Sequence, residues 1–240
     1  MVNEIRSNEI ALGLANAKER ITSAAISVKR DPSEIALIVV TKTFPKSDVE
    51  ILYELGIRDF GENRDQEGSL KADEFYLDAK WHFQGQIQSN KIKSILSWAD
   101  VIHSLADLDH AKRINDRVFL AADKSNVSKI PILIQVSLDS DLVRSEGRNG
   151  IDPKEIEKFA ESIMQFEGLE LKGLMAVAPI SEIPESAFAR LAGIFSDFQG
   201  IYPDAKWLSA GMSGDFESAI HHGATHVRLG SSILGNRSYL

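Results

Sequence analysis

The hydrophobic positions of the chain follow two rhythms. Near the start, Ile10, Leu14, Ala17, Ile21, Ala24 and Val28 recur every three or four residues, with Lys18, Glu19 and Arg20 on other faces. That spacing predicts an amphipathic helix over 7–30, stopped by Asp31-Pro32-Ser33. Short apolar runs and helical stretches then alternate. The first run, 35–40, is rich in Ile and Val without polar alternation, and Pro45 closes the segment. A parallel strand covered on both faces reads this way. Further strands are predicted over 57–60, 81–84, 100–103, 130–136, 169–177, 207–209 and 226–229.

Helices fill the intervals. Ser47-Asp48-Val49-Glu50 has the form of a capping box and opens a helix ending at Gly56. A second covers about 65–78, and a third follows Gly85 with Ile92, Ile95, Leu96 and Ala99 on one side. Asp107 caps a fourth, which carries Leu108, Ala111, Ile114 and Val118. Asp152-Pro153 starts a fifth that runs to Gly168, and 184–200 holds a sixth with Phe188, Leu191, Phe195 and Phe198 inward. The stretch 214–222 is helical, and a short helix begins at Ser231. Between 137 and 150 lies a long polar loop, which reads either as functional or as ordinary surface.

Eight strand–helix units force parallel strands joined by right-handed crossovers, and eight of them close into a barrel. The expected fold is α/β, a single (β/α)8 TIM barrel forming one domain over 1–240, with the helix in 1–30 packing on it. A doubly wound open sheet is the alternative, but no glycine-rich dinucleotide turn follows the first strand.

Charge narrows the partners. The formal net charge is −8, and no run of Lys and Arg announces a basic face, so neither nucleic acid nor a membrane surface is expected. There is no cysteine, hence no disulfide and no thiolate metal site. No secretory signal or membrane-length apolar run is visible, which makes the expected location cytoplasmic. No His, Asp and Glu grouping has metal-ligand spacing.

In such a barrel the site lies at the C-terminal strand ends. Those positions hold Lys42, Glu62, Asn63, His82, Gln84, His103, Gln135, Met175, Met212, Ser213, Arg228, Gly230, Ser231 and Ser232. Lys42 shares a face with Ile38 and Val40 at period two, so it points inward; the other reading is a solvated lysine past the strand end. Gly211-Met212-Ser213-Gly214 follows strand seven and Leu229-Gly230-Ser231-Ser232 follows strand eight, where barrels bind phosphate; the other reading is two ordinary glycine turns with capping serines. Closure sets strand eight beside strand one, and with it Lys42 beside that cup. A partly desolvated lysine attacks aldehydes to form a Schiff base, so a phosphorylated aldehyde such as pyridoxal 5′-phosphate (PLP) suits the pair. Arg228 reads either as a cation against the pyridine nitrogen or as half of a structural ion pair. His82 and His103 read either as site residues or as hydrogen-bonded core histidines, and His221 and His222 as charges at a helix end.

Val40-Thr41-Lys42-Thr43, Phe60-Gly61-Glu62-Asn63 with Gln66-Glu67, Trp81 through Gly85 with Gln88 through Lys91, Lys172 through Met175, Leu208 through Ser213 and Val227 through Gly230 together resemble the pyridoxal-phosphate homeostasis protein family. The resemblance covers nearly the whole chain. It implies a barrel like the N-terminal domain of alanine racemase, with PLP on Lys42, its phosphate at Ser213, Gly230 and Ser231, Arg228 facing the ring nitrogen, and Asn63 and Met212 around the ring. It also implies a role in PLP homeostasis and amino-acid and keto-acid balance, with delivery of PLP to apo-enzymes and no established turnover; a monomer is the expected state. The sequence departs from the family's usual form at Arg64-Asp65, at Gln84 and over 146–150.

Two other functions stay open on the residues. One is a PLP-dependent racemase-like enzyme with His82 serving the second ring face. Racemases of this fold draw that second acid/base from a C-terminal β-domain, and with the sequence read as ending just past strand eight no such domain is expected. The other is a sugar-phosphate barrel enzyme in which Lys42 binds or attacks the sugar.

Overall fold

The computed structural model describes residues 2–75, 77–121, 128–139 and 150–235. Helix α1, Val2–Ser27, lies outside the barrel and buries Ile10, Leu14, Ala17, Ile21 and Ala24. It starts earlier than its pattern suggested and ends before Val28, which is exposed. The cause is Lys29, whose φ of 60° is left-handed, while Arg30 N closes the end on Ala25 O.

Strands β1 Ala36–Val40, β2 Asp59–Glu62, β3 Lys80–Phe83, β4 Val101–Leu105, β5 Ile130–Val136, β6 Leu169–Ala176, β7 Trp207–Ser209 and β8 His226–Leu229 follow one another around a closed parallel barrel. Closure is direct, since Ala36 to Val39 pair with His226 to Leu229 in register. The expected (β/α)8 fold is what forms.

The outer shell is α2 Lys46–Glu54, α3 Asp65–Asp73, α4 Ile92–Ile95, α5 Leu108–Ala121, α6 Ile156–Ile163, α7 Pro184–Ile201, α8 Phe216–His221 and α9 Ser231–Leu234. Phe188, Leu191, Phe195 and Phe198 of α7 are buried as their spacing implied. Asp107 Oδ1 accepts from His110 N and caps α5.

Elsewhere local signals misled. The capping box at Ser47 does not form: α2 begins at Lys46 after Pro45 without a side-chain cap, which leaves Ser47 inside the helix and Glu50 paired with Lys46 at 3.2 Å. Helix α3 stops at Asp73, short of 78. The helix after Gly85 shrinks to four residues behind a 3-10 turn at Ser89–Lys91, and the stretch after Asp152 opens as a 3-10 turn, Pro153–Glu155, with α6 ending well before Gly168. Of the 137–150 loop, residues 140–149 lie outside the described residues.

Side chains divide by face. Phe60, Trp81 and Phe83 point outward into the main core between strands and helices, where Phe60, Phe75 and Trp81 form an aromatic cluster. Inside the barrel, a small apolar group of Val101, Leu133 and Met175 is joined by buried polar residues. His103 of β4 touches Ser209 of β7, and these strands are not neighbours, so the contact crosses the interior. Helix α1 seals the β8 side. Gly13 makes this fit, because a Cβ there would lie 2.4 Å from Ile233 O of α9. Among the described residues no helix is long and apolar enough to cross a membrane.

Candidate functional site

A cavity of about 370 Å³ opens at the C-terminal ends of β1, β2, β3, β7 and β8. Its lining includes every residue expected to hold the cofactor: Lys42, Asn63, Met212, Ser213, Arg228, Gly230 and Ser231. Val40, Phe44, Gln84, Gly214 and Gly235 complete it, so the lining carries two cations and no carboxylate. The size is that of a small-molecule or cofactor site.

Lys42 sits in the turn that ends β1, still on the face of Val40, with its neighbours on both sides fixed. Thr41 Oγ1 donates to Glu62 Oε1 at 2.6 Å, and Lys71 Nζ donates to Thr41 O and Glu62 Oε1, both at 2.7 Å. Thr43 takes a left-handed φ of 69°, unusual for a β-branched residue, and its N–H donates to Glu67 Oε2 at 2.7 Å. Glu62 is fully buried, and burial outweighs the pull of Lys71 and pushes its carboxyl up. The buried face of α3 is Gly68 and Lys71, the former against Trp98. A glycine and a lysine three apart were the sequence signal for this clamp. It was missed because a lysine on a helix normally marks the solvent face.

At β7 and β8 the backbone is drawn into a cup. Gly211 has φ +90°, and a Cβ there would meet Phe216 Cα at 2.7 Å. Asp215 Oδ1 accepts from Met212 N at 2.6 Å, and Arg228 N donates to Gly211 O. Ser213 Oγ accepts from Gly230 N at 3.3 Å and Ser232 N at 3.2 Å, which joins the two loops. Two polar atoms here are buried without a partner, Gln84 Nε2 and Ser232 Oγ. Met212 stands at the rim, half exposed.

Arg228 makes no ion pair with a carboxylate among the described residues, so the structural-pair reading fails. Its Nη1 donates to Ser209 Oγ at 2.8 Å and its Nη2 to Ala176 O at 3.0 Å, on a side chain 5% exposed. Burial lowers it to about 10 while Asp215 pulls the other way, and it remains a cation at neutral pH.

The other predicted positions fall outside the cavity lining. Met175 and the hydrogen-bonded pair His82 and His103 lie in the barrel interior. Gln135 is in β5, Glu62 belongs to the Lys42 clamp, and Ser232 sits behind Ser213. His221 reaches Ser27 of α1 and His222 folds back on Ser218 O, both away from the cavity. Ser209 was not singled out, since one buried serine in a three-residue strand gives no pattern. Among the described residues no cluster of three metal-ligating side chains occurs.

The fit to a phosphorylated aldehyde rests on the donor set: a lysine, a permanent cation, a serine O–H, a buried unpartnered amide N–H and a glycine turn, in a cavity without carboxylates.

Known proteins resemble the chain in sequence and in fold. The pyridoxal phosphate homeostasis proteins of Mycobacterium bovis and Escherichia coli K12 are 37% and 36% identical to the chain, each over 97% of it and over 94% and 98% of their own lengths. PipY of Synechococcus elongatus, solved with PLP bound, superposes with a TM-score of 0.76 at 29% identity, covering 91% of this chain and 99% of PipY. Alanine racemase of Clostridium difficile shares the fold at 14% identity and a TM-score of 0.69, over 96% of this chain and 57% of the racemase. The family model for the alanine racemase N-terminal domain matches residues 18–238, and the chain belongs to that family.

Proposed function

We propose that this protein binds pyridoxal 5′-phosphate in the cavity at β1, β7 and β8 and acts in PLP homeostasis, holding the reactive cofactor and passing it to apo-enzymes. The observation that carries the reading is a cavity lined by Lys42 and Arg228 with hydroxyls and amides but no carboxylate, in a chain of net charge −8. An anionic ligand is favoured there. The names of the relatives and the PLP-bound PipY support the same ligand.

The residues divide the work. Ser213, Gly230 and Ser231 hold the phosphate with hydroxyl and backbone donors. Lys42, fixed by the Thr41 and Thr43 clamps, holds the aldehyde carbon covalently. Arg228 faces the ring nitrogen and, as a permanent cation, keeps it unprotonated. Asn63 and Met212 flank the ring. When bound, PLP supplies an electrophilic carbonyl and an electron-withdrawing ring.

The reading includes no robust turnover. The titratable residues in the lining are Lys42 and Arg228, neither placed as a second acid/base across the ring. PLP would be stored and delivered in a cell's amino-acid and keto-acid economy, by a monomer that meets its acceptor enzymes transiently.

The test is the near-visible absorption of the purified protein with PLP, beside Lys42→Ala, before and after candidate amino acids. A band that requires Lys42 and persists without product supports the carrier. Accumulating product makes the protein a racemase-like enzyme instead. No band on adding PLP to the wild type removes both readings and favours a sugar phosphate.

A further inference from the structure

Five polar side chains form one hydrogen-bonded line through the barrel. Arg228 Nη1 donates to Ser209 Oγ at 2.8 Å, and Ser209 Oγ lies 3.0 Å from His103 Nδ1. His103 Nε2 is 2.9 Å from His82 Nδ1, and His82 Nε2 is 2.9 Å from Asp59 Oδ1. Arg228, Ser209, His103 and His82 are all buried. Asp59 is the first residue of β2, at the mouth opposite the cavity, and its side chain is 35% exposed. The line therefore joins the cavity's buried cation to a carboxylate that water reaches.

Counting protons fixes its direction. Arg228 can only donate, the Asp59 carboxylate can only accept, and a neutral imidazole does one of each. With both rings neutral, a single arrangement satisfies every member: Ser209 donates to His103 Nδ1, His103 Nε2–H donates to His82 Nδ1, and His82 Nε2–H donates to Asp59. If His82 carries an extra proton, its Nδ1–H must donate to His103 Nε2. His103 then holds its proton on Nδ1 and donates to Ser209. Two donors converge on Ser209 Oγ, and its own proton finds no acceptor among the described residues. An orphaned buried donor is costly, so the one-way form is the resting one.

We propose that Ser209, His103 and His82 are positioning residues for Arg228, and that one proton taken up by His82, on the side of Asp59 and the far mouth, reverses the line and loosens the hold on the arginine. The balance is simple: one N–H bond forms at His82 Nδ1, His103 moves its single proton from Nε2 to Nδ1, and the Ser209 hydroxyl rotates. Ser209, now accepting from an imidazole N–H as well, is a poorer acceptor for Arg228.

The groups that set this titration are Asp59 from β2, Lys80 from β3, His103 from β4 and His226 and Arg228 from β8, with Asp215 beside Arg228. Burial holds His103 well below the ordinary histidine value, and the charges of His82, Arg228 and His226 push the same way. The extra proton therefore does not settle on His103. Burial would raise Asp59, but the hydrogen bond and charge of His82, with Lys80 and His226, hold it down as a carboxylate.

The effect on ligand rests on the reading that PLP occupies the cavity with its ring nitrogen against Arg228, whereas the line itself does not. The first measurement is nitrogen NMR of the histidine rings in ligand-free protein, from about pH 8 to about pH 5. Both rings should be Nε2–H at the start, and His103 should change to Nδ1–H in the step where His82 becomes doubly protonated. A His103 that is Nδ1–H at the start, or that does not change as His82 titrates, overturns the proposal.

The second measurement is the pH profile of the absorption maximum with PLP bound. Asp59→Asn keeps the shape but removes the carboxylate charge at the end of the line, so the NMR step and the absorption step should move down together. Ser209→Ala should keep the NMR step at His82 and lose the absorption step. An absorption step unmoved in Asp59→Asn overturns the coupling. Protein that shows the expected tautomers yet takes up no PLP would sink the cofactor reading and leave the line standing.

Discussion

Lys71→Met isolates the clamp that holds the Lys42 turn. Lys71 Nζ donates to Glu62 Oε1 and Thr41 O, both at 2.7 Å. Glu62 is fully buried, and its Oε2 has no partner. Methionine replaces the aliphatic stem but leaves a buried carboxylate with one hydroxyl donor. Breaking one side of such a pair costs about 3–5 kcal/mol. The pH dependence has a definite sign. Burial already pushes Glu62 up with Lys71 present, and losing the ammonium pushes it further. A carboxyl whose folded value lies above its unfolded one, about 4.3, binds its proton preferentially in the folded state. The deficit against wild type is therefore full above the folded value and shrinks as pH falls toward the unfolded one. Urea unfolding of both proteins at about pH 8 and about pH 5 measures it, with the larger deficit at the higher pH. Adding Glu62→Gln to the variant removes the stranded charge and should recover about 2 kcal/mol or more at the higher pH. A deficit below about 1 kcal/mol, or one equal at both pH values, would refute the argument.

Three other outcomes follow from single positions. Burial, with the charge of His82 next, lowers His226 to about 4 although Asp59 opposes it. Its unfolded value is about 6.5, so stability is complete above that, falls as pH drops through about 4, and loses up to about 3 kcal/mol. His103 adds to the loss in the same direction, and unfolding curves across that window, beside His226→Phe, check the share of His226. Gly13→Ala drives a Cβ against Ile233 O at 2.4 Å. It should cost about 1–3 kcal/mol and lower Tm, because the obstacle is backbone. Gly211→Ala combines a φ of +90° with overlap on Phe216 Cα, and should weaken PLP binding roughly tenfold while leaving the Lys42-dependent band in place at saturation.

The barrel was readable because each strand carries its own pattern. The limits of β5, β7 and β8 fall where the apolar runs and their punctuation put them. Lys42, Arg228 and the two glycine-serine turns could be assigned to one place because closure of eight parallel strands brings strand eight to strand one. What was not readable depends on contacts distant in sequence. Asp48 of α2 is engaged at 2.6 Å by Arg6, 42 residues away, which no local pattern shows. Lys71 looks like a solvent-facing lysine until Glu62 is seen beneath it. Ser209 has no local signature and matters because His103 and Arg228 reach it from two other strands.

The polar interior also explains why Arg228 needs no carboxylate partner. A guanidinium this buried normally demands a counter-charge, and an adjacent one would neutralise it toward the ligand. Here direct contacts are a hydroxyl and a carbonyl, both neutral acceptors that orient two of its nitrogens. The carboxylate that acts on it electrostatically is Asp215, which forms no ion pair with it, so the field at the cavity stays positive. A carboxylate introduced beside it, as in Ser209→Asp, should cancel that field and abolish PLP retention. If PLP is retained as tightly in that variant once shown to be folded, the positive field is not what holds the ligand.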